Sequence, residues 1–112
     1  MPSTDILERL YTLIQERRKA DPENSYIAKR LKQGTAKIAQ KVGEEAVEAV
    51  IAAMQKDKKE LVSESADMIF HWLMLLVDGG VSLDEVMAEL KRREGMSGLD
   101  EKASRKLRAK EE

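Results

Sequence analysis

The stretch "KVGEEAVEAVIAA" (residues 41–53) and its neighbour "ELVSESADMIFHWLMLLV" (residues 60–77) decide the fold. The first crowds Glu44, Glu45 and Glu48 among mostly small apolar residues. At about 100° per residue, with Ile38 at zero, Glu44, Glu48 and Glu45 fall near 240°, 280° and 340° on a helix. Lys37 and Lys41, near about 260° and 300°, share that stripe. Ile38, Ala39, Val42, Ala46, Val47, Ala49, Val50, Ala53 and Met54 fill most of the remaining circumference. So broad an apolar arc predicts flanking helices on more than one side. In the second stretch, with Glu64 at zero, Asp67, Glu60 and His71 fall near about 300°, 320° and 340°. Apolar side chains take nearly every other direction, which predicts a helix buried nearly all round except along one acidic line.

The short connection "QKDKK" predicts an antiparallel hairpin. With its turn near Asp57, the Glu45–Glu48 and Glu64–Asp67 pairs lie at nearly one level, about 3 Å apart along the axis. If the two stripes face each other, four carboxylates meet in one gap. Close like charges raise one another's pKa, and a hard cation relieves them. Oxygen-only ligands point to Mg²⁺, with Mn²⁺ as the other choice, and Mg²⁺ readily shares itself with substrate phosphates. Three acids in five helical residues more often form a solvated face. The second pair, inside a segment too apolar for a surface, argues against that reading here. His71, one turn beyond Asp67, is expected to support the ligands rather than bind metal. The Glu-x-x-His motif of di-iron bundles is missing, because Met68 stands three residues before His71.

The rest of the chain is also helical in pattern. Ile6, Leu7, Leu10, Leu13 and Ile14 are spaced for a first helix. "KADPENS" reads as a loop, and "SYIAKRLKQG" as a short helix stopped by Gly34. Long helices are expected over residues 35–55 and 59–78. "DGG" ends the second, and "SLDE" (residues 82–85) is a capping box opening a helix through Arg93. An all-α bundle of about five helices follows, one domain over residues 1–112 with 106–112 as a tail. The bundle's core is expected to be completed by a second copy, since a chain this short buries a modest core.

The 112 residues are 42% hydrophobic, 37% charged and 4% aromatic, with net charge -1. Few aromatics and no basic excess argue against a nucleic-acid partner. No cysteine and a single histidine exclude disulfides, thiolate zinc sites and a cysteine nucleophile. No secretory h-region and no membrane-length apolar run occur, so a cytoplasmic protein without a membrane partner is expected. The negative charge of a nucleotide substrate would suit the basic residues. Lys37 and Lys41 lie on the acidic stripe, Tyr26 and Lys29 open the short helix, and Lys102 and Arg105 follow a Ser-Gly turn. The plain alternative is ion pairing, such as Lys41 with Glu45 at i, i+4, or simple solvation.

"GEEAVEAVIAA", a spacer and "ESADMIFHWLMLL" resemble the EExxE…ExxD signature of the all-α nucleoside-triphosphate pyrophosphatases of the MazG type. "SYIAKRL", "KIAQKVGEEAVEAV", "GVSLDEVMAELKRR" and "SGLDEKASR" narrow the resemblance to the phosphoribosyl-ATP pyrophosphohydrolase family. The similarity runs from about residue 7 to residue 105. It implies hydrolysis of the α–β phosphoanhydride of phosphoribosyl-ATP, the second step of histidine biosynthesis, with Mg²⁺ and a homodimer. By position it implies Glu45, Glu48, Glu64 and Asp67 as metal ligands, with Glu44 as a further ligand or the residue orienting the attacking water. Lys37, Lys41, Lys102 and Arg105 would then stabilise the pyrophosphate. In many organisms such enzymes are fused to a zinc-dependent cyclohydrolase. With no cysteines, this chain is expected to be the stand-alone hydrolase. Two rivals remain, a housekeeping dNTP pyrophosphatase on the same scaffold and a non-enzymatic helical dimerisation module.

Overall fold

The computed structural model describes residues 4–95 and 105–107, the side chains of residues 4 and 5 excepted. Every regular element among them is helical: α1 (Thr4–Arg17), α2 (Tyr26–Lys32), α3 (Thr35–Met54), α4 (Lys58–Gly79) and α5 (Leu83–Glu94), with helical residues again at 105–107. No single helix there is long and apolar enough to cross a membrane. The all-α expectation holds. The chain forms two compact units divided between Val81 and Ser82.

In the first unit α3 and α4 pack most extensively, α1 lies against α4, and α2 touches all three. The hairpin turn is built from its own backbone. Lys56 adopts a left-handed φ of 59°. Its N–H bonds the Ala53 carbonyl at 3.1 Å, and the Asp57 N–H bonds that of Ala52 at 3.0 Å. That is a complete Schellman closure, with lysine at the position glycine favours. Asp57 then caps α4 by accepting from the Glu60 N–H. At the open end of the hairpin, Thr35 Oγ1 donates to Asp78. The Tyr11 hydroxyl donates 2.7 Å to the Val81 carbonyl, tying α1 to the end of α4.

Ile14, Ala28, Ile38, Ala49, Ala52, Leu73, Met74 and Val77 form the core, one or more from each helix of the unit. Each large member contributes about 1.5–3 kcal/mol of burial. The broad apolar arc of α3 is only partly used. Val47, Val50, Ile51 and Met54 are 58%, 61%, 48% and 79% exposed, and Val62 on α4 is 70% exposed. Within one chain, then, α3 is not flanked on every side and α4 is not buried all round.

Ser25 caps α2, its side chain accepting from the Ala28 N–H, which puts Tyr26 and Arg30 one turn apart on one face. Gly34, at φ 95°, turns the chain into α3, and Gly80, at φ 70°, ends α4. In the second unit both bonds of the Ser82–Glu85 capping box are present. Residues 96–104, and Lys102 with them, lie outside the described residues.

Candidate active site

α3 and α4 bring part of the expected acidic set together. Glu64 is half-buried and its Oε2 is shut off from solvent. Its carboxyl lies within hydrogen-bonding reach of Glu48 and of Glu60, and the charge of Asp67 also acts on it. Glu48 foremost, then burial, Glu60 and Asp67, push its pKa up to about 7. Ionised, Oε2 has no donor among the described residues. The Glu48 and Glu60 contacts become hydrogen bonds only when a proton sits between two carboxyls. A cavity of about 320 Å³ adjoins these acids, lined by Glu48, Ile51, Ala52, Gln55, Glu60 and Glu64. Glu60 fell on the acidic line of α4 by periodicity alone, but its part in the cluster was missed.

Glu45 takes a different partner. It is buried, as is His71, and its Oε1 sits 2.6 Å from His71 Nδ1. The Nδ1 also lies 3.0 Å from the Asp67 backbone carbonyl. The imidazole Nε2 meets the Tyr26 hydroxyl at 2.8 Å, and Arg30 donates 3.1 Å to that same hydroxyl. His71 thus sits inside the ligand set as a support, its Nδ1 bonding the Asp67 main chain and lying in close contact with Glu45 Oε1, which has no hydrogen-bond partner among the described residues. Tyr26 is half exposed, with its hydroxyl spent on protein partners. Arg30 was not foreseen, although its i+4 spacing from Tyr26 was there to see.

Glu48 and Asp67 are exposed, as are most of the remaining candidates. Glu44 is exposed and accepts from Gln40, with Lys41 at 3.8 Å. Lys41 therefore pairs at i+3 with Glu44 rather than at i+4 with Glu45. Lys37 is exposed on α3. Lys29 lines a cavity of about 300 Å³ with Tyr26, Arg30 and Gln33. Arg105 is exposed in the second unit.

The donor set fits a hard divalent cation, being all oxygen, acidic and including two buried oxygens, Glu45 Oε1 and Glu64 Oε2, without a hydrogen-bond partner among the described residues. As the side chains stand, no three His, Cys, Asp or Glu among the described residues already have metal-holding geometry.

Residues 7–94 match the model of the phosphoribosyl-ATP pyrophosphohydrolase family. The chain belongs to that family. A phosphoribosyl-ATP pyrophosphatase of Zymomonas mobilis is 57% identical over 92% of this chain and 96% of its own. Those of Erythrobacter litoralis and Novosphingobium aromaticivorans are 60% and 58% identical over 88% and 94% of this chain, and 95% and 98% of their own. The expectation of a hydrolase is met in these relatives. As a phosphoribosyl-ATP pyrophosphohydrolase family member, the chain carries its acids on an α3–α4 hairpin inside the matched region.

Proposed function

We propose that this chain hydrolyses the α–β phosphoanhydride of phosphoribosyl-ATP to phosphoribosyl-AMP and pyrophosphate, as a cytoplasmic step of histidine biosynthesis. The observation that carries the site is Glu64, crowded by Glu48 and Glu60 until its carboxyl resists ionising near neutrality. Glu45, Glu48, Glu64 and Asp67 would hold Mg²⁺, or Mn²⁺ in its place. The ion would neutralise the acids and the triphosphate and make a nearby water easier to deprotonate. Glu44, oriented by Gln40, would orient the attacking water and accept its proton. Lys37 and Lys41 balance the charge that builds on the departing pyrophosphate. The names of the relatives support phosphoribosyl-ATP over a dNTP as substrate.

The working form is a homodimer. Val47, Val50, Ile51, Met54 and Val62 leave apolar surface of the hairpin uncovered, and a second copy carrying the same side chains has the chemistry to cover it.

Pyrophosphate release is the test. Release from phosphoribosyl-ATP with Mg²⁺, absent with a chelator, supports the assignment. Glu48→Gln and Asp67→Asn should abolish turnover and leave the circular dichroism spectrum unchanged. Release from a dNTP panel but not from phosphoribosyl-ATP would favour the housekeeping reading instead.

A further inference from the structure

A chain of polar contacts runs from α2 to the α3–α4 hairpin, through Arg30, Tyr26, His71 and Glu45. Arg30 can only donate, so the Tyr26 oxygen accepts its N–H at 3.1 Å. The tyrosine hydrogen is then free to point at His71 Nε2, 2.8 Å away, which must accept it. A neutral imidazole carries one proton, so that proton belongs on Nδ1. There it faces the Asp67 carbonyl at 3.0 Å and Glu45 Oε1 at 2.6 Å. The N–H is directed at the carbonyl, since without a proton there two lone pairs would oppose each other, while Glu45 Oε1 is a close contact outside hydrogen-bond geometry. A competing arrangement puts the proton on Glu45 and reverses every donor. The Tyr26 oxygen would then receive from both Arg30 and His71, and its own hydrogen would have no acceptor among the described residues.

We propose that Arg30 and Tyr26 are positioning residues that fix the proton of His71 on Nδ1 and so hold the Asp67 main chain and the adjoining Glu45 side chain in place. The stacked geometry supports a rigid link. The Arg30 guanidinium lies over the Tyr26 ring, 5.1 Å from its centre, and Phe70 packs edge-on against His71 with centroids 5.5 Å apart. Supporting partners of this kind set the orientation of a ligand and thereby its metal affinity. That last step rests on Glu45 being a metal ligand, as the proposed function has it. Tyr26 thus acts on the reaction through His71, rather than by contact with the nucleotide.

The sequence holds a single histidine, so the ¹⁵N-labelled full chain gives one imidazole to read. Long-range ¹H–¹⁵N correlation at about pH 8.5, above the ordinary histidine range, shows which nitrogen bears the proton. The expected result for the metal-free wild type is protonated Nδ1 and bare Nε2. Protonated Nε2, or protons on both nitrogens, would overturn the proposal with no variant needed. Tyr26→Phe should release the proton to Nε2 or to a mixture, and Arg30→Met should move it the same way. In calorimetry Tyr26→Phe should bind Mg²⁺ about 10-fold or more weakly. A Tyr26→Phe protein that keeps Nδ1–H and full Mg²⁺ affinity while only its nucleotide KM rises would refute the positioning role. Failure to cleave phosphoribosyl-ATP with the Nδ1–H form intact would count against the proposed function alone.

Discussion

Glu64 holds its proton to about pH 7 in the folded chain, against an ordinary 4.5, with Glu48 as the largest cause. A carboxyl raised in this way stabilises the fold while it is protonated. Below about 4.5 both states carry the proton. Between that value and about 7 the folded chain holds more proton than the unfolded one, so stability falls as pH rises through this window. Urea denaturation of metal-free protein across those pH values should show the decline. Glu48→Gln should flatten it by removing the main opposing charge, and saturating Mg²⁺ should reverse it. At this scale the sequence was partly legible. Periodicity placed Glu60, Glu64, Asp67 and His71 on one line, but it could not tell that Glu45 would turn to His71 while Glu48 turned to Glu64. That choice depends on rotamers and on Tyr26, which arrives from a separate helix.

Helix boundaries were readable because their chemistry is local. Ser25, Asp57 and Ser82 each cap with the side chain that their position implies. The α3–α4 turn is the exception, since it closes on Lys56 at φ 59° where glycine would be expected. Lys56→Gly should therefore stabilise the hairpin by about 0.5–1 kcal/mol, as left-handed strain is relieved against some lost chain stiffness. Gly80→Ala tests the same physics with the opposite sign. No atom lies within 4 Å of the added Cβ, so its cost comes from φ 70° alone and should be about 1 kcal/mol. Urea midpoints for both variants check this. Ser82→Ala should cost about 1 kcal/mol through loss of the capping box.

At the scale of the molecule, the apolar pattern of α3 demands more cover than one chain supplies. The sequence showed the breadth of the arc but not which part stays bare. Packing against α4 settles that, leaving Val47, Val50, Ile51 and Met54 outside. Sedimentation should give a dimer for the wild type and a monomer for Val50→Glu, with far-UV ellipticity retained. The central claim is that α3 and α4 jointly hold a divalent ion through their carboxylates. It is tested most directly by titrating Mn²⁺ into the protein, with the free ion followed by electron paramagnetic resonance, for the wild type and for Glu64→Gln. Saturable, stoichiometric binding in the wild type that disappears in the variant is the result expected here. Equal weak, unsaturable binding in both proteins would contradict it.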